Sequence, residues 1–408
     1  MERTGAAARI RTAYGQMLLL ALLGIPIGIA VGAVCTLFGR VLLAITSFRE
    51  AHPWQLIPFL AVAGIAVAAA YRRFGRGTER GMGLVFAVAH EDGGEDEIPL
   101  RLVPLIMVGT WLTHLFGGSA GREGVAVQIG AAIAHRAGRL VPIEHAGRVF
   151  VVAGMAAGFA GLFRTPLAAC AFALEVLVAG RLEYRALAAA LTASLSAAMT
   201  SGALGLEKFE VPVDAALALD APALLRLAAA GLVFGVVGGG FAWLLAWGKR
   251  QAGRIVNPLA RIGVIGVALS VALLALGAGR YAGLGTNLIS LAFGDPGAVA
   301  CWDWALKFLL TVATLSAGFQ GGEVTPLFSI GATLGVALCG VLGLPAELMA
   351  ALGYAAVFGS ATNTLLAPIL IGGEVFGFAN LPAFFVVCAV AYLVNLDRSI
   401  YSGQRLAR

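Results

Sequence analysis

Four short glycine-rich or polar patches interrupt otherwise apolar sequence: Gly81-Met82-Gly83, the stretch GGSAGREG from Gly117 to Gly124, the stretch GFQGGEVTP from Gly318 to Pro326, and Ser399-Ile400-Tyr401-Ser402. The second and third each precede an apolar run that reads as a helix. The first N–H groups of a helix have no partner within it, and the helix dipole adds positive potential at that end. Glycines leave such N–H groups open to a ligand, so interrupted helix starts aimed at a point inside a bilayer would make an anion site. The backbone of Gly121, Arg122, Gly124 and Val125 on one side, and of Glu323, Val324 and Thr325 on the other, is the candidate cradle. The side chains within these two patches able to act beside it are the carboxylates of Glu123 and Glu323 and the hydroxyl of Thr325. No metal-ligand spacing, catalytic triad or phosphate-binding glycine loop occurs, so no enzyme, cofactor or metal centre is expected.

The elements that would carry these patches belong to a membrane protein. Of 408 residues, 60% are hydrophobic and only 12% charged, and mean hydropathy is +0.90. Soluble domains carry about 25% charged residues, so this chain cannot cover a water-facing surface and most of its exterior must meet the lipid bilayer. A span needs roughly 20 apolar residues. Met17 to Ile45 and Leu224 to Trp247 reach that length; Leu56 to Tyr71 is shorter. The runs 102–116, 125–134, 150–163, 167–178, 324–342 and 365–376 are short and broken by glycine or polar clusters. With 55 glycines in the chain, this is the mark of discontinuous helices lining a substrate site.

The head, residues 1–16, is basic and short, and the run behind it is too long for a signal peptide. Basic residues gather there, at Arg72, Arg73, Arg76 and Arg80, at Lys249, Arg250, Arg254 and Arg261, and in the tail at Arg398, Arg405 and Arg408. Residues 207–220 are acidic. The net charge of +6 therefore reads as topogenic, with both termini cytoplasmic and the acidic loop outside. No nucleic-acid binding is expected. The five cysteines read as packing residues. The histidines 52, 90, 114, 135 and 145 read as loop or core residues, and the cluster Glu91, Asp92, Glu95, Asp96, Glu97 as a solvated loop face.

The chain also repeats itself. Ala156 to Val176 and Ala355 to Val375, aligned without gaps, match at 8 of 21 positions, Thr165/Thr364 and Glu175/Glu374 among them. Gly121-Arg122-Glu123 recurs as Gly321-Gly322-Glu323, at nearly the same offset of about 200 residues. Duplicated halves with broken helices are a transporter plan, with the site at the repeat interface. An odd number of spans per half would invert the second copy. The expected order is a cytoplasmic segment (1–16), a first transmembrane half (17–205), an acidic external loop (206–220), a second half (221–397) and a C-terminal segment (398–408) with no regulatory domain.

At these residues the sequence resembles a known family. GSAGREGVAVQIG, Gly118 to Gly130, resembles the GxxxGREGPxVQ motif of the CLC family of chloride channels and anion/proton antiporters, with Val125 where most members have proline. GGEVTPLFSIGA, Gly321 to Ala332, is similar to that family's second-half GGxFxP motif. Tyr281-Ala282-Gly283-Leu284-Gly285 with Asn287 looks like its segment before the second-half broken helices, and Tyr401 falls at its anion-contacting tyrosine. The resemblance runs from about Gly15 to Gly403. It implies an all-α, CLC-like membrane fold of two structurally related halves, the second expected inverted, with broken helices around a central anion site. It also implies a homodimer with one pathway per subunit.

Within the family, three departures resemble the bacterial fluoride/proton antiporter clade. Met82 stands where chloride-binding members have the serine of GSGIP. Glu323 and Thr325 stand where ordinary members are apolar. Val176 stands where chloride/proton exchangers carry a second acid after Glu175. The implied function is fluoride export coupled to proton antiport across a bacterial inner membrane; the alternative is a chloride channel or chloride/proton exchanger of the same family. Glu123 would be the gating and proton-coupling carboxylate. Deprotonated, it occupies the anion site; protonated, it is neutral and swings away. Its plainer reading is an ion pair with Arg122. Glu323 would donate to fluoride or relay the proton when protonated, or else cap a helix. Thr325 and Tyr401 would each offer a hydroxyl, against helix back-bonding and interfacial anchoring respectively. Met82 offers no strong donor, which should weaken its hold on chloride; as a packing residue it would do nothing more. Phe86 would line the path, and Asn287 either supports the site or holds a turn.

Overall fold

The computed structural model describes residues 2–90, 97–142, 146–214 and 217–407, with side chains from Tyr14 onward. Helices dominate. In chain order, those of nine residues or more among the described residues are α1 (Glu2–Ala51), α2 (Leu60–Phe74), α3 (Met82–His90), α4 (Leu102–Leu115), α5 (Glu123–Gly138), α6 (Ala146–Phe163), α7 (Pro166–Glu175) and α8 (Leu187–Ala203). They continue with α9 (Ala221–Ala252), α10 (Pro258–Ala275), α11 (Thr286–Gly294), α12 (Asp303–Ala317), α13 (Val324–Leu342), α14 (Ala346–Thr362), α15 (Leu366–Phe376) and α16 (Leu381–Val394). Beyond helices, the described residues hold one two-stranded parallel pair, in which Val178–Ala179 meets Arg405–Leu406 and ties the tail to the segment that follows α7.

Seven of the helical segments are long and apolar enough to cross a bilayer, and four further apolar ones are 10–17 residues long. A spanning helix needs about 20 residues, so the shorter ones would end inside a bilayer of ordinary thickness. Their end groups must be satisfied there by protein or ligand. This is an integral membrane protein.

The predicted breaks fall where the starts of these helices fall. α5 begins at Glu123 and α13 at Val324, right after the two glycine patches. α9 is capped by Asp220, whose carboxylate accepts from Ala223 N–H at 2.8 Å. α10 is capped by Asn257 ahead of Pro258; both are conventional helix starts.

The repeat is visible as paired contacts. α5 packs on α6 and α13 on α14, each pair through glycines at matching places. A Cβ at Gly130 would sit 2.0 Å from the carbonyl oxygen of Gly154, and one at Gly331 would sit 2.0 Å from that of Gly353. Small residues let backbones meet when lipid offers no hydrophobic drive for helix association. α6 and α14 are buried almost all round, and so are apolar on every face, as core helices must be.

The two copies also clasp each other. Glu374 on α15 accepts from Leu167 and Ala168 N–H at 3.2 and 2.8 Å, at the start of α7. Glu175 at the end of α7 accepts from Leu365, Leu366 and Ala367 N–H at 3.1, 3.0 and 2.7 Å, at the start of α15. Each acid sits on the other helix's start, so α7 and α15 lie side by side in antiparallel directions.

Some sequence expectations change. Cys301 is exposed and so does not pack the core, whereas Cys35, Cys170 and Cys388 are buried and the half-buried Cys339 packs against the main core. Glu91, Asp92, Glu95, Asp96 and His145 lie outside the described residues; Glu97 pairs with Arg139 at the surface.

Candidate functional site

The starts of α5 and α13 meet. Gly121 N–H donates to Gly322 O, and Gly322 N–H donates to Gly121 O, at 2.5 and 2.8 Å, an isolated antiparallel bridge between the two halves. Only glycine fits that approach. A Cβ on Gly121 would lie 2.8 Å from Cδ of Pro326, and one on Gly321, whose φ is +156, would lie 2.5 Å from Cβ of Ala120.

Across this bridge Glu123 reaches the opposite helix. Its side chain is 0% exposed. Its Oε2 accepts from Thr325 N–H at 3.1 Å and from Thr325 Oγ1 at 2.5 Å, and from Arg122 N–H at 3.3 Å. Thr325 N–H is one of the unpaired donors at the first turn of α13. A carboxylate therefore rests where a small anion would rest. Its Oε1 has no hydrogen-bond partner. Arg122 Nε lies 3.5 Å from Oε1, within ion-pair range but without a hydrogen bond. The Thr325 hydroxyl is spent on Glu123 and not on its own helix.

Beside this contact lies a cavity of about 210 Å³, and all four predicted patches contribute to its wall. Gly81, Met82 and Gly83 come from the first, Gly124 from the second, Gln320 to Glu323 from the third, and Ile400 to Ser402 from the fourth. Phe86 lines it too and stacks on Tyr401, with ring centroids 5.4 Å apart at 27°. The Tyr401 hydroxyl is buried with no partner, as is Oε1 of Gln128. Buried polar atoms are nearly always satisfied, and these orphans mark where a ligand or water belongs. Val125 and Val324 are buried in the first turns of their helices, offering backbone and not side chain. Glu323 does not cap α13 with its side chain. Its carboxylate is 15% exposed and 3.8 Å from Nζ of Lys249.

Asn287 is elsewhere. Its amide donates to Arg280 O at 2.8 Å across a tight turn, and it does not line this cavity. Of its two readings, the structure shows the turn. Glu175 is likewise a helix cap. Arg80, Ile106, Gln128, Lys249 and Gly403 also line the cavity without having been singled out for it. Gln128 was within reach of pattern reasoning, since it is four residues from Gly124 and so on the same helix face. Lys249 was hidden among topogenic charges.

A bridge of glycines between two helix starts, a buried carboxylate across it and a cavity walled by the four motifs make up the site. The sequence model described as Voltage gated chloride channel matches residues 63–396. The chain belongs to the CLC family. Among its CLC relatives is the "Chloride/fluoride channel protein" of Pseudomonas syringae pv. tomato, 38% identical over 399 residues, covering 95% of this chain and 86% of the relative. A solved structure described as a CLC-type fluoride/proton antiporter superposes with a TM-score of 0.94 at 53% identity, covering 97% of this chain and 99% of that one. A slow cyanobacterial Cl⁻/H⁺ antiporter superposes with a TM-score of 0.78 at 22% identity, over 92% and 94% of the two chains, and shows the shared fold.

Proposed function

We propose that this CLC protein exports fluoride across a bacterial inner membrane in exchange for protons. The observation that carries the reading is the Glu123 carboxylate seated on the Thr325 amide and hydroxyl at the start of α13. The same donors suit a small anion, so carboxylate and anion compete for one place. A protonated Glu123 is neutral, loses most of its hold on two donors, and leaves the place to fluoride. Its return requires loss of the proton. Alternation between the two moves one anion against one proton.

Fluoride fits the donor set. It is small and strongly hydrated, and short hydrogen bonds from Thr325 and Tyr401 can replace water. Met82, without a strong donor, offers a larger halide little. The solved relative at 53% identity is described as a fluoride/proton antiporter, which supports the same cargo here. Glu323 and Tyr401 serve the pathway from the cavity side, with Phe86 as its apolar wall. The basic clusters favour a cytoplasmic location for both termini and for the Lys249 end of α9. The antiparallel clasp of α7 and α15 is what an inverted second half would produce. The working unit is a homodimer with one pathway per subunit.

The test is flux in proteoliposomes. Outward fluoride gradients should drive proton uptake, and chloride gradients of equal size should drive far less. Equal uptake with both anions would move the protein to the chloride-exchanger class, and anion flux without protons would make it a channel.

A further inference from the structure

Glu323 presents a difficulty that Glu123 does not. Glu123 holds the donors an anion wants and can leave. Glu323 stands at the cavity wall, where a fixed negative charge would repel every arriving anion. Its nearest cation lies on another helix. Lys249, in the last turn of α9, places Nζ 3.8 Å from the Glu323 carboxylate, and its side chain is 48% exposed while that of Glu323 is 15% exposed. Both line the same cavity, near Gln320 and Tyr401.

The spacing matters. At 3.8 Å the two charges cancel at a distance, yet no hydrogen bond joins them. Lys249 keeps its N–H donors for another acceptor, and a small anion can lodge against it without first breaking a tight pair. Its exposed position also puts positive charge where an anion arrives, which raises local anion concentration and capture rate.

We propose that Lys249 is the counter-ion of Glu323 and a positioning residue for anion loading: it cancels the acid's charge at the open end of the cavity and receives the incoming anion. The proposal rests on the antiport reading above, in which this end faces the cytoplasm. Besides Glu323, the charged and titratable groups of the cavity are Arg80 and Tyr401, and both remain when Lys249 is changed.

The experiment is a double-mutant cycle on Lys249→Gln, Glu323→Gln and the pair, with Lys249→Arg as the conservative control. It is read as fluoride dependence of flux in oriented proteoliposomes and as fluoride binding by calorimetry. Lys249→Gln should raise the KM for fluoride on the Lys249 side about tenfold with a smaller change in maximal rate, and Lys249→Arg should restore most of it. With Glu323 already neutral, Lys249→Gln should cost only about twofold, because no acid is left to cancel. A single substitution without effect on KM or binding would overturn the proposal. So would the same loss in both backgrounds, which would make Lys249 a general attractor unconnected to Glu323. Failure of the antiport reading would look different: the unaltered protein would move no protons with fluoride, while calorimetry would still report the coupling of the two side chains.

Discussion

The starts of α5 and α13 are built alike and do opposite things. Each follows a glycine patch, each carries an acid at its beginning, and the two meet through the Gly121–Gly322 bridge. Yet Glu123 is turned inward, fully buried, onto donors of the other helix. Glu323 is turned outward into a cavity, beside a half-exposed lysine. The same residue type at matching places in a duplicated chain has taken two roles because its partners differ. A carboxylate resting on helix-start donors acts as a stand-in anion. A carboxylate facing a cation at a cavity mouth is a charge to be managed. A second pair, Glu175 and Glu374, shows the repeat where the copies kept one role, each capping the other's helix.

The comparison breaks most sharply at the first pair. Glu123→Gln should abolish fluoride-driven proton uptake, to the level of empty liposomes, while Glu323→Gln should leave measurable coupled flux. Equal loss in both would mean that the two acids share one function. The clasp tests whether structural acids are distinct from working ones. Glu175→Ala strips three N–H groups at the start of α15 of their acceptor, at about 1 kcal/mol each, so it should lower the unfolding temperature in detergent. Glu374→Ala, with two N–H groups, should lower it less. Neither should change fluoride preference in the protein that remains folded. A change in preference without a change in stability would reassign them.

Smaller effects sharpen the picture. Thr325→Ala removes a hydroxyl donor to a charged group, worth about 1.5–3 kcal/mol, and should reduce fluoride preference over chloride roughly tenfold in paired flux measurements. Full preference retained would leave the backbone amide as the sole discriminator. Tyr401→Phe removes a hydroxyl that has no protein partner. It should therefore leave stability unchanged and weaken fluoride binding a few-fold by calorimetry, consistent with one neutral hydrogen bond of about 1 kcal/mol.

Much of this was legible in the residues. Low charge and high hydropathy required lipid, because polar surface for water is missing. Glycine patches ahead of apolar runs located the starts of α5 and α13, because unpaired helix-start amides need either a cap or a ligand and glycine leaves them bare. The internal match of Thr165/Thr364 and Glu175/Glu374 announced two related halves. The four patches were each visible as breaks in apolar sequence.

What the chain alone could not say was which groups meet. A run of sequence reports the type and order of residues, but contacts across about 200 positions depend on how helices pack. Glu123 meets Thr325 only because α5 and α13 start back to back. Glu175 shows its repeat partner Glu374 in the sequence but not its contacts, until the fold puts it on the start of α15. Asn287 reads equally as site support or as a turn residue, and the fold puts its amide on Arg280 O. Lys249 looks like one of several topogenic charges until α9 ends beside Glu323. Composition and pattern determined that this chain crosses a membrane and carries an anion-competent break in each half. The tertiary structure decided which acid faces the donors and which faces the cation, because burial and electrostatic energy depend on distances between atoms that the sequence leaves unconstrained.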